Sequence, residues 1–115
     1  MDMRPSEYPT AAFIGGKWIS SRKKFPVRDP ATGLEIAQVP DLTDTEARQA
    51  IDSASLAFPG WAAKTAKERA GILRRWLELI NEDTEKLANL MSSEQGKPLS
   101  EARAEVAYGA SFIEW

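Results

Sequence analysis

The periodicity of the apolar residues changes once along this chain, near residue 40. Before that point the apolar runs are short, and glycine or proline separates them. The Gly15-Gly16 pair can adopt the positive φ angles of a tight hairpin turn. In the loop of residues 29–33, proline and glycine each set one backbone angle. The sequence therefore predicts two β-hairpins, with strands at residues 11–14 and 17–19 and at residues 25–28 and 34–39.

After residue 40 the apolar residues recur every three or four positions, which is the spacing of one helix face. Thr43 with Glu46, and Thr65 with Glu68, have the spacing of a capping box, in which each side chain accepts a hydrogen bond from the other residue's amide. We predict two helices that begin at these threonines, the first ending at a Pro-Gly pair at residues 59–60. The faces expected to be buried are Ala47, Ala50, Ile51, Ala54, Ala57 and Phe58 in the first helix, and Ile72, Leu73, Trp76, Leu79 and Ile80 in the second.

Two further helices are predicted in the last third of the chain. The third begins near residue 81, has Leu87, Leu90 and Met91 inward, and ends at Gly96, because Pro98 prevents its continuation. The fourth has Ser100 as its N-cap. No glycine, proline or basic cluster ends this helix before Trp115, so we expect the chain to be the opening part of a larger protein, truncated inside its last helix. Its apolar face is predicted to be Ala102, Val106, Ala110 and Ile113.

Composition excludes several kinds of chemistry. The chain has no cysteine and no histidine, which excludes disulfides, thiolate nucleophiles and an imidazole base. A net charge of −2 argues against a surface for nucleic acid. No apolar run is long enough to cross a bilayer, and the first residues lack the pattern of a signal peptide. We therefore expect a cytoplasmic protein with no membrane partner, with a loose polar tail at residues 1–10 and a folded part at residues 11–115.

Two motifs invite a functional interpretation. Gly96-Lys97 resembles the end of a phosphate-binding loop, but that loop needs a glycine at position 91 and a hydroxyl at position 98, so we interpret the pair as a helix stop. Glu94, Glu101 and Glu105 could form a carboxylate cluster for acid–base work or for a hard cation. The alternative is a solvated helix face with Arg103 nearby to offset its charge.

The sequences of several segments resemble those of the aldehyde dehydrogenase superfamily, and within it those of the succinate-semialdehyde dehydrogenase branch. The matching segments follow one another in the order and spacing of the family. The resemblance covers nearly all of residues 13–115. The segments are residues 13–18 (FIGGKW), 29–33 (DPATG), 65–69 (TAKER), 72–76 (ILRRW), 95–99 (QGKPL) and 111–115 (SFIEW).

The resemblance implies an α/β enzyme that oxidises an aldehyde to an acid with NAD or NADP. A cysteine thiolate, a glutamate-activated water and an oxyanion hole would carry the reaction. In the family these groups and the cofactor contacts lie beyond this portion, so no catalytic or cofactor-binding residue is assigned to this sequence. This portion would supply the N-terminal β-hairpins and about four helices that pack on the Rossmann-like cofactor domain.

The resemblance also implies a structural monovalent cation. Many members hold one with an acidic side chain two residues before Gly-Lys-Pro and with backbone carbonyls just before the Asp-Pro motif. In this sequence those positions are Glu94, Val27 and Arg28. The usual acid is aspartate, and the longer glutamate puts the ligand position in doubt.

Two functional interpretations remain open on the sequence. The first is the N-terminal segment of a semialdehyde dehydrogenase, inactive alone, whose partners are the rest of its own chain and further copies in a homo-oligomer. The second is a stand-alone helical interaction module, or a complementing subunit, derived from such an enzyme. The aldehyde, and the choice between NAD and NADP, cannot be read from these residues.

Overall fold

A computed structural model describes residues 8–115, so residues 1–7 of the predicted tail lie outside the described part. The described residues form four strands followed by four helices, as the sequence predicts. They divide into two compact units. The first holds the described residues up to Arg28 together with Leu34–Ala63, and the second holds Asp29–Gly33 together with Lys64–Trp115.

The first hairpin joins β1 (Ala12–Ile14) to β2 (Lys17–Ile19) in antiparallel register. The two turn glycines have φ angles of 58° and 78°, which confirms the predicted tight turn. Phe13 lies opposite Trp18, with ring centroids 4.9 Å apart. Such an aromatic cross-strand pair stabilises a hairpin of only three residues a side.

The second hairpin joins β3 (Lys24–Arg28) to β4 (Glu35–Pro40), which confirms the second predicted strand pair. The connecting loop is closed by Asp29. Its carboxylate oxygen accepts a hydrogen bond from the Ala31 amide at 2.7 Å, and its carbonyl accepts one from the Gly33 amide at 2.8 Å. The loop therefore keeps its shape through its own hydrogen bonds.

Helix α1 (Asp44–Ala62) begins with the predicted capping box, in which the Thr43 amide donates to the Glu46 carboxylate at 2.8 Å. The predicted end at residues 59–60 is wrong, because Pro59 lies inside the helix. Proline lacks a backbone donor and its ring crowds the carbonyl of the preceding turn, but its own carbonyl remains an acceptor. Its carbonyl still accepts a hydrogen bond from the Ala63 amide at 3.0 Å, so one further turn forms.

The predicted buried face of α1 is also wrong for most of its residues. Ile51 is 68% exposed and Phe58 is 66% exposed. Of the predicted face only Ala50 is partly covered, together with Ser53, which was not predicted. This side lies against the first hairpin, where a Cβ atom on Gly15 would come within 2.9 Å of the Ser53 hydroxyl oxygen. Periodicity marks an apolar face correctly, but burial depends on which element lies next to it.

Helix α2 (Ala66–Glu82) begins with the second predicted capping box, in which the Thr65 amide donates to the Glu68 carboxylate at 2.7 Å. Its predicted core face is only partly covered. Ile80 packs against the core, whereas Trp76 is 54% exposed. Leu77, which the periodicity did not select, is half-buried.

Helices α3 (Thr84–Gln95) and α4 (Leu99–Glu114) enclose the small core of the second unit. Ala88 and Ala102 are fully buried, and Val106 is 8% exposed. The predicted face of α4 is confirmed, because Ala110 is buried as well and Ile113 is half-buried. Ala88 itself was not predicted. The three residues of α3 that were expected to face inward are half-buried: Leu87, Leu90 and Met91.

The turn between α3 and α4 ends the third helix as predicted. Gly96 has a φ angle of 74°, and its amide donates to the Ser92 carbonyl at 2.8 Å. The prediction that Ser100 caps α4 is wrong. The fixed φ of Pro98 lets the helix begin directly after it, and the Pro98 carbonyl accepts the amide of Glu101 at 3.0 Å. Ser100 therefore lies within the first turn.

None of the helices between residues 8 and 115 combines the length and the apolarity needed to cross a membrane.

Gly96→Ala is expected to destabilise the second unit. A side chain at this positive φ costs about 1–2 kcal/mol, and the new Cβ would lie 3.0 Å from the Pro30 ring. The matched control is Gly71→Ala in α2, where nothing lies within 4 Å. There alanine is expected to stabilise the helix by about 0.5–1 kcal/mol. Urea unfolding followed by circular dichroism measures the stability of both variants. Equal unfolding midpoints for the two variants would contradict the left-handed backbone assigned to Gly96.

The capping box of α2 is expected to make its stability depend on pH. The pKa of Glu68 is lowered from 4.5 because the Thr65 amide, and then its hydroxyl, donate to the carboxylate. Its contribution is therefore complete above pH 4.5 and is lost as the pH falls through the lower pKa of the folded state.

Thr65→Ala tests the hydroxyl's share of this dependence. The substitution is expected to lower the free energy of unfolding by about 1 kcal/mol at neutral pH and to reduce, but not abolish, the loss of helical signal in acid, because the amide of residue 65 still donates to the Glu68 carboxylate. Ser55→Ala, at an exposed position inside α1, serves as the control. An acid titration identical to that of the unsubstituted chain would count against the capping role.

Candidate functional site

Ion pairs join α3, the turn and α4 on the surface of the second unit. Arg103 donates to both oxygens of the Glu85 carboxylate, at 2.7 and 2.9 Å, although the two residues are 18 positions apart. This bidentate hydrogen bond lowers the pKa of Glu85 and raises that of Arg103. Because the pair is solvent-exposed, it contributes little to the free energy of unfolding. Its main effect is to fix the position of α4 against α3.

Lys97, which the sequence placed beside a phosphate-loop-like glycine, pairs with Glu105 of α4. Its ammonium group is thereby engaged by a carboxylate of the same unit. Together with the left-handed Gly96, this supports the interpretation of residues 96–98 as a helix stop and a turn.

The predicted carboxylate cluster does not assemble. Glu105 is engaged by Lys97, and Arg103 pairs with Glu85 and not with the glutamates of its own helix. Across residues 8–115 no three acidic side chains come together in a way that could hold a metal ion. The solvated-face alternative therefore describes Glu101 and Glu105 better.

The three residues that the resemblance assigns to a monovalent cation lie in different units. Val27 is half-buried in β3, and Arg28 ends that strand with its guanidinium 3.7 Å from the Glu35 carboxylate. Glu94 is exposed in the last turn of α3. A carboxylate and backbone carbonyl oxygens are suitable ligands for a hard cation. The cation itself stays a prediction.

The amino ends of the first three helices do not fit the diphosphate of a dinucleotide. Such a diphosphate needs free helix amides and a positive field. The carboxylates of Glu46 and Glu68 occupy the first turns of α1 and α2, where hydrogen bonds from the threonines lower the pKa of each. Asp83 precedes α3 and pairs with Lys86.

An apolar groove of about 700 Å³ runs between α3 and α4. Glu94 and Glu105 are its charged residues, and Glu105 is paired. Tyr108 and Phe112 form one wall, with their rings edge to face and 4.8 Å apart. The groove contains no thiol, so it has no nucleophile of the kind that the resemblance implies for aldehyde oxidation. Its apolar lining includes Leu87, Leu90, Met91, Val106 and Ile113.

Sequence patterns identified the turn at Gly96 and the apolar face of α4, but they missed the ion pairs and the groove. The Glu85–Arg103 pair joins two helices, and spacing along one helix carries no signal for it. The groove depends on the angle between α3 and α4, which the periodicity of either helix leaves open.

Comparison with known proteins identifies the family. The model of the aldehyde dehydrogenase family matches residues 18–115. A glutarate-semialdehyde dehydrogenase of Pseudomonas putida is 51% identical over 106 residues, which are 90% of this chain and 22% of that protein. The NADP(+) succinate-semialdehyde dehydrogenase of Escherichia coli is 49% identical over the same shares.

A solved structure agrees with these relatives. The succinate-semialdehyde dehydrogenase of Burkholderia pseudomallei superposes with a TM-score of 0.91 and 49% identity, covering 96% of this chain and 23% of that one. The chain thus spans 22% of the length of the two curated relatives. Because the sequence match and the superposition agree over nearly all of its residues, the chain belongs to the aldehyde dehydrogenase family.

Proposed function

We propose that this chain forms the N-terminal segment of an NAD(P)-dependent aldehyde dehydrogenase that oxidises succinate semialdehyde or a similar small aldehyde. The observation that carries the proposal is the family match over residues 18–115, with relatives named glutarate- and succinate-semialdehyde dehydrogenases. Both names denote short aldehydes that end in a carboxylate. The NADP(+) in the second name supports a nicotinamide cofactor.

The segment's own role in this proposal is structural. In such an enzyme NAD(P), when bound, would supply the hydride acceptor. This chain has no cysteine to attack the carbonyl, and the carboxylates at the ends of its helices disfavour phosphate. Its helices therefore hold and support the part of the enzyme that carries the chemistry.

The exposure of large apolar side chains supports the proposal that another polypeptide covers them. Leu56 of α1 is 83% exposed and Phe58 is 66% exposed, and Trp76 of α2 is 54% exposed. Large apolar surfaces on a soluble protein mark contacts with further polypeptide. We propose that this polypeptide is the rest of the aldehyde dehydrogenase. A homo-oligomer and a cytoplasmic location stay predictions from the sequence.

The proposal also includes the monovalent cation, held by the carboxylate of Glu94 and the carbonyls of Val27 and Arg28. It rests on the resemblance of the residues that flank Asp29-Pro30 and Gly96. Its role would be structural. A cation that binds the folded state and not the unfolded chain raises the free energy of unfolding.

Activity tests the proposed function. The purified 115-residue chain is expected to reduce neither NAD nor NADP with succinate or glutarate semialdehyde. A chimera in which residues 1–115 replace the corresponding part of the Escherichia coli relative is expected to be active. Its kcat/KM should lie within about tenfold of that enzyme's, a barrier difference of about 1.4 kcal/mol.

Two results would contradict the proposal. One is cofactor-dependent turnover by the 115-residue chain alone. The other is a chimera that folds to the same oligomeric state as the Escherichia coli enzyme and yet leaves both semialdehydes unoxidised.

Potassium tests the cation in the same chimera. Replacing choline chloride with potassium chloride is expected to stabilise the chimera, by about 2.7 kcal/mol at a hundredfold excess over Kd. Glu94→Gln is expected to abolish this difference, and Glu101→Gln, which changes an exposed glutamate of α4, to preserve it. Equal melting temperatures in potassium and choline would remove the cation from the proposal.

A further inference from the structure

The second unit presents an open groove and a projecting aromatic side chain next to each other. Trp115 directly follows α4 and is fully exposed. Ile113, two residues before it, lines both the groove between α3 and α4 and a smaller cavity beside Trp115. The groove and the indole ring therefore belong to one continuous surface at the end of α4.

The groove has the size and the lining that an indole ring needs. Its volume is about 700 Å³, and its lining is mainly apolar. Gly109 of α4 leaves the groove open at its position, because no neighbouring element of residues 8–115 comes within 4 Å of where a Cβ atom would lie. The Glu94 carboxylate also lines the groove. It can accept the indole N–H, which is the polar group that a buried tryptophan has to satisfy.

A second copy of this chain supplies a ring that fits this groove. Since the groove and the ring share one surface, a two-fold axis brings each Trp115 to the groove of the other copy, and the contact is self-complementary. A small ligand would instead need a few converging polar groups. The charged residues of the groove are two carboxylates, and that of Glu105 is already paired with Lys97. The groove therefore suits a second copy better than a small polar ligand.

The area that two copies can bury is sufficient for a specific dimer. Tyr108 is 66% exposed and Phe112 is 64% exposed, in addition to the fully exposed Trp115. An aromatic side chain buries about 150–250 Å², so these three residues from both copies would remove roughly 1,000 Å² from water. A specific interface needs at least about 1,000 Å². The half-buried apolar residues of the groove add to this area.

We propose that the 115-residue chain by itself forms a symmetric dimer in which Trp115 of each copy enters the groove between α3 and α4 of the other. The inference goes beyond the proposed function and does not rest on it. It assigns a partner to the groove when no further polypeptide is present.

Sedimentation velocity of the purified 115-residue chain tests the dimer. We expect a monomer–dimer equilibrium with a Kd on the order of micromolar, at the weak end for interfaces of about this area. Two results would overturn the inference. One is a chain that stays monomeric at a concentration about a hundredfold above this Kd. The other is a broad series of larger species in place of a dimer.

Two tryptophan substitutions locate the projecting side of the contact. Trp115→Ala is expected to raise the dimer Kd at least about tenfold, because a buried tryptophan dominates the binding energy of an interface. The control is Trp76→Ala, which removes an exposed ring of the same unit that lines neither the groove nor the smaller cavity. It is expected to leave the Kd unchanged. Equal effects of the two substitutions would show association without a defined contact and would overturn the assignment.

A glycine substitution locates the receiving side. Gly109→Leu is expected to fill the groove and to raise the Kd at least about tenfold, because the indole ring loses its buried position. Gly60→Leu, at an exposed and open position of α1 in the first unit, is expected to preserve the dimer. Both variants should retain a helical circular dichroism spectrum. A dimer that is unaffected by Gly109→Leu would overturn the assignment to this groove.

Mixing the two defective variants tests the exchange itself. The Trp115→Ala chain keeps an open groove, and the Gly109→Leu chain keeps a projecting ring. Their mixture is therefore expected to form a heterodimer with one of the two contacts restored, and to associate more tightly than either variant alone. A mixture that associates no better than its separate components would overturn the proposed arrangement.

Discussion

The contact between Ala88 of α3 and Ala102 of α4 is the constraint on which the second unit depends. Both residues are fully buried, and their small side chains let the two helices approach closely. Val106 of α4 joins the same core, and the connection between the two helices is a sharp turn, which Gly96 makes with a left-handed backbone. The close approach also brings Arg103 to Glu85 and opens the groove on one side.

Several polar groups of this portion are satisfied by residues close along the chain or in the same unit. Capping boxes occupy the first turns of α1 and α2, Asp29 closes its own loop, and Lys97 is paired with Glu105. Such groups hold helices and turns in place and offer few free hydrogen-bonding groups to a substrate or a phosphate. Large apolar side chains of the same portion stay exposed. This distribution supports the structural role proposed above.

The accuracy of the sequence predictions depended on how local the responsible interaction was. Thr65 and Glu68 satisfy each other's amides within one helical turn, so their spacing alone predicted the capping box. Trp76 has the right periodicity for a core residue, but no neighbouring element of its unit covers it. Ser100 was a suitable cap by type, yet the backbone of Pro98 starts the helix two residues earlier.

The sequence by itself determined the family, the two hairpins, the order of the helices, the stop at Gly96 and the apolar face of α4. The structural features follow from interactions among residues close along the chain, and the family follows from a resemblance that the family match over residues 18–115 confirms. Only the tertiary structure decided which apolar faces are covered, which glutamate Arg103 engages, and where a groove remains open. These depend on the distances and angles between helices, which no single helix encodes, because packing is a property of two surfaces together.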